Sequence, residues 1–250
     1  MKNHGQRFRA ILWIGWAILA LCLLAACSGG DGGGAAGDPS PEAELPIFQR
    51  PFEEDYPNSW PFDHDVPVGY RKARSEGLGS PGVLSFRGEV VDLFWGEGRG
   101  HDGYDWVLPE GTPVLAVADG MVITAGPEPP TDCPGKGLVS ALVIQIRHEV
   151  PDGPVFDSLY AHLSRIDVAA GETVSAGQPI GLSGNTGCSS GPHLHFSVYR
   201  RTGTTGGRPA VVDPYGWEGE FPDPWAVHPD GATSVRLWID GEAPPGDFSF

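Results

Sequence analysis

Two short motifs in this 250-residue chain contain histidine and aspartate side chains at a spacing that suits a metal site. In GPHLHF, His193 and His195 are two residues apart in a run that is typical of extended chain. Successive side chains of a strand point to opposite faces, so both imidazoles are expected to project from the same face. In HDGYD, His101 and Asp105 are four residues apart, and Gly103 allows the backbone to turn between them.

Three of these side chains match the ligand count of a catalytic zinc site. Such a site takes three protein ligands, typically histidine nitrogens and carboxylate oxygens at about 2.0–2.2 Å, and keeps a fourth position open. His101, Asp105 and one histidine of the pair meet that count, and the remaining histidines, including His162 in LYAHLS, are available as proton carriers. Taken alone, HDGYD also fits a solvated or hydrogen-bonded loop, and a lone strand-end histidine carries no functional signal. Spacing does not choose between His193 and His195 as the ligand.

The elements that must position these residues are short β-strands. The chain contains 37 glycines and 25 prolines, and both residue types are poor in helix interiors. Between about residues 100 and 199, runs such as ALVIQIRHEV and HLHFSVYR are separated by Gly, Asp-Gly or Pro-Asp-Gly turns. This pattern is typical of antiparallel strands and hairpins, so we predict an all-β, mainly antiparallel fold.

The sequence resembles the lysostaphin-type (LytM-like) zinc endopeptidases, which cut peptidoglycan cross-bridges, in five consecutive blocks: HDGYD, GTPVLAVADGMV, YAHL, VAAGETVSAGQPIG and SGNTGCSSGPHLHF. The resemblance implies a compact β-sheet or barrel-sandwich fold, the duplicated hybrid motif. It also implies one Zn²⁺ per chain, bound by His101, Asp105 and His195. His162 and His193 would then flank the open coordination position, one as general base and the other as partner of the oxyanion or the leaving amine, in an order that the sequence does not decide.

Two other functions fit parts of the sequence. A non-catalytic member of the same family would bind the cell wall or activate another wall hydrolase, but no ligand is missing from the motifs here. The second alternative function is that of a carrier domain, because VAAGETVSAGQPIG also resembles the hairpin of biotinyl and lipoyl domains. Those domains need a lysine at the hairpin tip, and Lys2, Lys72 and Lys136 all lie elsewhere. We therefore predict a monomeric zinc endopeptidase that acts on the peptide stems or cross-bridges of peptidoglycan.

The N-terminal residues have the pattern of a bacterial export signal. MKNHGQRFR carries Lys2, Arg7 and Arg9 and no acid, and the uncharged run AILWIGWAILALCLLAA follows it. The run ends in LAAC, which resembles the bacterial lipobox, where the cysteine, here Cys27, is lipid-modified and becomes the new N-terminus. We expect residues 1–26 to be removed and the protein to be lipid-anchored to a bacterial membrane, outside the cytoplasm. An ordinary signal peptide or an uncleaved anchor is the alternative.

Composition divides the rest of the chain into four parts. We predict a flexible Gly/Pro-rich tether over residues 27–46, a β-type N-terminal extension over 47–99 and the zinc peptidase domain over 100–207. An acidic, aromatic C-terminal tail over 208–250 is expected to pack on the domain. The formal net charge of −16 disfavours nucleic acid as a partner, because a phosphate-binding surface needs a surplus of lysine and arginine.

The cysteine count suggests one disulfide. Cys22 leaves with the signal and Cys27 would carry the lipid, which leaves Cys133 and Cys188 as a single pair in an exported, oxidising setting. A bridge between them is the simplest hypothesis, and two free thiols are the alternative. The bridge would pin the glycine-rich loop that precedes the HLH strand.

The remaining histidines of the predicted domain and its flanks are expected to have structural and not catalytic roles. His148 lies in the predicted strand ALVIQIRHEV, and His228 lies in the C-terminal tail. His64 in FDHD has acids on both sides, but nothing else in the sequence converges on it. We therefore predict no functional site at these three positions.

Overall fold

The computed structural model describes residues 45–67, 82–93, 100–201 and 209–249. The predicted signal peptide, the lipidation site Cys27 and nearly all of the predicted tether lie outside these residues, so those expectations stay predictions. Within the described residues, no helix is long and apolar enough to cross a lipid bilayer.

Short antiparallel strands make up almost all of the regular structure in the described residues. In chain order the elements are β1 (Asn58–Trp60), β2 (Val83–Leu84), β3 (Val90–Val91), β4 (Tyr104–Trp106), β5 (Pro113–Leu115), β6 (Gly120–Pro127), β7 (Thr131–Cys133), β8 (Gly137–Val139), β9 (Leu142–Glu149), β10 (Val155–Leu163), β11 (Arg165–Ile166), β12 (Thr173–Val174), β13 (Pro179–Leu182), β14 (Leu194–Arg201), β15 (Ala210–Val212) and the one-turn helix α1 (Pro224–Val227). Every pairing between these strands is antiparallel. The predicted all-β, antiparallel fold class is confirmed.

The largest sheet formed by the described residues carries the motifs. Its eight strands follow the hydrogen-bonded order β1-β4-β14-β10-β9-β6-β12, and β15 pairs with β14. A second sheet has the order β11-β13-β5, and β2-β3 and β7-β8 form two-stranded ribbons. The antiparallel pairing of β4 with β14 sets His195 directly opposite Asp105, so two distant motifs meet at one position of the sheet.

Both segments that flank the central strands contribute to the same core. Phe48, Phe52 and Phe62 come from the N-terminal side and Trp225 and Trp238 from the C-terminal side, and none is more than 2% exposed. All five belong to the hydrophobic cluster that contains the inward side chains of the main sheet. Burial of each such side chain contributes about 1.5–3 kcal/mol to stability. The described parts of the two flanking segments are therefore bound tightly to the sheet.

A disulfide between Cys133 and Cys188 is present, and it joins β7 to the glycine-rich loop between β13 and β14. The same loop is held a second time by Lys136, whose Nζ donates to the Ser189 carbonyl at 2.7 Å. Within the loop, Gly187 has a φ of 74°, and a Cβ there would lie only 2.7 Å from Ala141. The segment that leads into the HLH strand is therefore fixed at several points.

Candidate metal centre

The sheet brings together His101, Asp105 and His195, the set that the family resemblance implies as ligands and that is called the triad below. His101 Nε2 lies 3.2 Å from Asp105 Oδ1, and His195 Nδ1 lies 2.9 Å from the same oxygen. The two ring nitrogens are 3.2 Å apart. The side chains are only 8%, 12% and 13% exposed, respectively. Three atoms of the type that bind metals therefore face one another in a largely buried site.

The geometry of the triad fits a metal ion. Bonds of about 2.0–2.2 Å at tetrahedral angles separate the ligand atoms of a zinc ion by about 3.4 Å, which is close to the observed separations. Two imidazole nitrogens and a carboxylate oxygen also turn their lone pairs toward a common point, where a cation removes their mutual repulsion. Among the described residues, the triad is the one group of His, Cys, Asp or Glu side chains with ligand atoms that converge in this way.

Hydrogen bonds select the ring nitrogen that each triad histidine turns inward. The Nδ1–H of His101 donates to the Pro61 carbonyl at 3.0 Å, which leaves Nε2 to face Asp105. His195 has the opposite arrangement, because its Nε2 lies 2.7 Å from Ser197 Oγ and its Nδ1 faces Asp105. The carbonyl partner fixes the tautomer of His101, because a carbonyl oxygen can only accept, and the Ser197 hydroxyl holds the orientation of the His195 ring.

His162 lies next to the triad in an unusual backbone conformation. Its φ is 64°, which is uncommon for a residue with a side chain, and it falls where the pairing of β10 with β9 is irregular. The Nδ1–H donates to the Thr186 carbonyl at 2.8 Å, which leaves Nε2 as the ring nitrogen for a reaction partner. Its ring lies 4.6 Å from that of His193 and 6.0 Å from that of His195. Such backbone strain is commonly held at functional sites.

His193 completes the group of four histidines. Its Nδ1–H donates to the Gly191 carbonyl at 2.8 Å, and Ser189 Oγ lies 3.2 Å from the same nitrogen. The other nitrogen, Nε2, lies 3.6 Å from Asp105 Oδ2. His162 and His193 therefore share one arrangement, in which a backbone carbonyl binds Nδ1–H and Nε2 remains for chemistry.

Charge and burial set the protonation of the site when no ion is bound. Burial alone would raise the pKa of Asp105, but attraction to His101 and His193 and hydrogen bonds from His101 and His195 hold it well below its usual range. Burial lowers the pKa of His195, and hydrogen bonding and attraction to Asp105 outweigh that effect and raise it. Burial, followed by repulsion from His193 and His195, lowers the pKa of His162 to about 4. At neutral pH and with no ion bound, His162 is therefore neutral.

Several residues of the site were not identified from the sequence. Trp60 stacks on His101 with ring centroids 4.9 Å apart, and Asp102 Oδ1 lies 3.7 Å from His195 Nε2. Ser197 could have been found, because it follows His195 by two residues in the same strand and shares its face. Trp60 is distant in sequence from every motif, and no periodicity connects it to them.

The expectation that nothing converges on His64 is wrong. Its Nδ1 lies 2.9 Å from Asp223 Oδ1 and its Nε2 lies 3.0 Å from Asp213 Oδ2, and the Tyr104 hydroxyl donates to that same Asp213 oxygen at 2.7 Å. Burial lowers the pKa of His64, but the two carboxylates outweigh it and raise the pKa to about 9. Because the carboxylates bind opposite ring nitrogens, this His64 cluster is an ion-pair network and not a set of ligands around one point.

The other two histidines have structural surroundings. His148 is 1% exposed, its Nδ1–H donates to the Asp119 carbonyl at 2.8 Å and its Nε2 lies 2.8 Å from Ser158 Oγ. His228 stacks on Trp225 with ring centroids 5.1 Å apart. Neither residue contacts the triad in the interactions that the structure records.

Sequence comparison identifies the part of the chain that carries the site. Residues 99–209 match the description "Peptidase family M23". The chain is 40% identical over 101 residues to the peptidoglycan DD-endopeptidase ShyA of Vibrio cholerae, a match that covers 40% of this chain and 20% of the relative. It is 39% identical over 99 residues to the glycyl-glycine endopeptidase ALE-1 of Staphylococcus capitis, which covers 40% of this chain and 24% of the relative. The chain therefore spans only about a fifth to a quarter of the length of these curated relatives.

A solved structure is similar over a longer part of the chain. The catalytic domain of lysostaphin from Staphylococcus simulans is 28% identical and covers 60% of this chain and 84% of its own, with a TM-score of 0.38. That superposition is loose, so the sequence matches carry the assignment. The triad, His162 and His193 all fall inside the matched range. Residues 99–209 of this chain, which contain the site, match peptidase family M23 and are called the M23 domain from here on.

Proposed function

We propose that this protein is a zinc-dependent endopeptidase that hydrolyses peptide cross-links of peptidoglycan. The observation that carries the proposal is the convergence of Asp105 Oδ1, His101 Nε2 and His195 Nδ1 beside two further imidazoles, within residues that match a peptidase family. The substrate class is supported by two relatives whose names specify peptidoglycan and glycyl-glycine peptide bonds. Because the chain spans a small part of each relative, the choice of peptide bond is left to experiment.

The donor set of the triad is the one that catalytic zinc uses. His101, Asp105 and His195 would hold the ion through two imidazole nitrogens and one carboxylate oxygen. When bound, zinc would supply a positive charge that acidifies water and polarises a carbonyl group. Asp105, ionised at neutral pH, offsets part of that charge inside a largely buried site.

We assign the proton transfers to His162 and His193. The Thr186 carbonyl keeps the hydrogen of His162 on Nδ1, so its Nε2 accepts a proton from the attacking water. The lowered pKa of His162 keeps this imidazole neutral before the reaction. His193, with Nδ1–H bound to the Gly191 carbonyl, is the second imidazole and is left to interact with the oxyanion or the leaving amine through Nε2.

Digestion of purified cell-wall sacculi tests the proposed function. The full chain, loaded with zinc, is expected to release fragments that carry new peptide ends, and mass analysis of these fragments identifies the bond. His195→Ala is expected to release none. Binding to sacculi without new peptide ends would instead indicate a non-catalytic wall-binding protein, and equal digestion by His195→Ala would refute the assigned site.

We also propose that the protein is anchored to a bacterial membrane by a lipid on Cys27. The support comes from the sequence alone, in the basic N-terminus, the uncharged run and the LAAC motif. Expression of the full chain in a bacterium, followed by mass analysis of the membrane fraction, is expected to yield a lipid-modified N-terminal Cys27. The Cys27→Ser variant is expected in the soluble exported fraction or with its signal uncleaved, and unchanged lipid modification would contradict the proposal.

A further inference from the structure

His101 is held by residues that lie outside the M23 domain. Its Nδ1–H donates to the Pro61 carbonyl at 3.0 Å, and its ring stacks on Trp60 with 24° between the planes. Both partners belong to residues 59–64, called the strap here, which the family match does not include. A carbonyl oxygen can only accept a hydrogen bond, so this contact keeps the hydrogen of His101 on Nδ1 and leaves Nε2 for the triad.

The strap is attached along the segment that carries two of the triad residues. β1 pairs with β4, and Ser59 Oγ donates to the Asp105 carbonyl at 3.1 Å. The Asp63 N–H donates to the His101 carbonyl at 2.9 Å. The Asp63 carboxylate, which is fully buried, accepts the N–H of Gly100 at 2.8 Å. The backbone on both sides of His101 is therefore bound to the strap.

The far end of the strap is fixed by the His64 cluster. His64 is fully buried between Asp213 and Asp223, which come from the C-terminal segment. The His101 imidazole, which precedes β4, would otherwise rotate about two side-chain bonds and present either nitrogen. The stacked ring of Trp60 and the Pro61 carbonyl remove that freedom only while the strap stays in place.

We propose that the strap is part of the metal centre, and that Trp60 and Pro61 position His101 to bind the metal through Nε2. The inference rests on the proposed metal chemistry of the triad and extends the centre beyond the M23 domain. Substitutions that disturb the hydrogen-bond partner of a histidine ligand typically change metal affinity by about 10–100-fold. The strap supplies that partner, the Pro61 carbonyl, together with the stacked ring of Trp60. Trp60 is a positioning residue in this account, because it acts through His101.

The role of the strap in positioning His101 is tested by measuring the zinc affinity of the full chain. The metal alone is the probe, and competition with a chelator reports the affinity. Trp60→Ala is expected to weaken zinc binding by about 10–100-fold. Trp60→Phe keeps an aromatic ring over His101 and is the matched control, expected to bind zinc more tightly than Trp60→Ala and close to the wild type. The melting temperature of each metal-free protein is measured alongside, since a loss of fold would also weaken binding.

The tautomer of His101 provides a second readout that needs no substitution. Ring nitrogen and carbon NMR shifts of the metal-free wild type are expected to show the hydrogen of neutral His101 on Nδ1. A hydrogen on Nε2, or a folded Trp60→Ala variant with unchanged zinc affinity, overturns the role of the strap. Neither measurement involves peptidoglycan, so failure of the wild type to digest sacculi leaves the inference intact, whereas failure of the wild type to bind zinc overturns both.

Discussion

The triad and the His64 cluster contain the same residue types, histidine and aspartate, yet their polar atoms are directed differently. In the triad, Asp105 Oδ1 and one nitrogen from each of two histidines face a common point. In the His64 cluster, two carboxylates bind the two opposite nitrogens of one imidazole. The triad leaves its lone pairs free to bind a cation. In the His64 cluster, the positive charge between the two carboxylates comes from the protonated imidazole. The two clusters share their residue types and differ in the direction in which the lone pairs of those residues point.

The two clusters meet at β4. Tyr104 and Asp105 are consecutive residues of this strand, and successive side chains point to opposite faces. Asp105 joins the triad, while the Tyr104 hydroxyl donates to Asp213 in the His64 cluster. The strand that supplies a ligand on one face is thus held by a buried ion pair on the other. Substitutions in each cluster are expected to separate these two roles.

Substitution of one aspartate in each cluster is expected to give the largest contrast. Asp105→Asn removes a charged ligand, so zinc binding and endopeptidase activity are expected to fall by about a thousandfold or more, on the order of 4 kcal/mol. Asp213→Asn leaves all three ligands in place, so it is expected to weaken zinc binding by no more than about 10–100-fold, the effect of a loosened strap. Zinc titration and sacculus digestion with both variants measure the contrast. Equal losses in the two variants would remove the distinction between the clusters.

Removal of the imidazole from the His64 cluster is expected to reduce stability. His64→Ala leaves two buried carboxylates without their cation, which costs about 3–5 kcal/mol of the free energy of unfolding. Denaturant unfolding at pH 6 measures the change. His228→Ala is the control, and since the described residues include no buried charge partner of His228, it is expected to change stability by less than about 1 kcal/mol. A His64→Ala protein as stable as the wild type would show that the network contributes nothing.

The His64 cluster is also expected to make stability fall at alkaline pH. The pKa of His64 is raised to about 9 in the folded protein from an ordinary value near 6.5. Its contribution, about 3 kcal/mol, is therefore complete below pH 6.5 and is lost as the pH rises through about 9. Unfolding free energies of the wild type and His64→Ala at pH 6 and pH 9.5 should converge at the higher pH. A difference that stays constant between the two pH values would argue against a charged His64.

The triad is expected to respond to pH in the opposite direction. A histidine must be neutral to bind a metal, and Asp105 raises the pKa of metal-free His195, so protons compete with zinc as the pH falls. Apparent zinc affinity is expected to drop by about tenfold for each pH unit and each proton displaced, below the pKa of His195. Chelator competition between pH 5 and pH 8 measures the slope. An affinity that does not change over this range would contradict histidine ligation.

Local patterns allowed parts of the site to be predicted from the sequence. Alternation along a strand predicted that His193 and His195 share a face, and both lie beside Asp105 in the structure. The count of cysteines predicted the bridge between Cys133 and Cys188. Each of these predictions used either a short motif or a residue type, cysteine, that occurs only a few times in the chain.

Contacts between distant segments could not be predicted in this way. His64 meets Asp213 across 149 residues and Asp223 across 159, and Pro61 meets His101 across 40. No periodicity or turn motif relates such positions, because tertiary packing of the flanking segments alone brings them together. The signal peptide stays a prediction because it lies outside the described residues, and the domain boundaries and the roles of individual site residues stay predictions as well.

The metal content of the full chain tests the account most directly. After zinc loading and removal of loosely bound metal, elemental analysis is expected to find about one zinc per chain, and X-ray absorption is expected to show nitrogen and oxygen ligands at about 2.0–2.2 Å. His195→Ala, matched to the wild type by circular dichroism, is expected to lose the ion. A wild-type protein that retains no zinc, or a His195→Ala variant with the same zinc content and spectrum, would contradict the assignment of the triad.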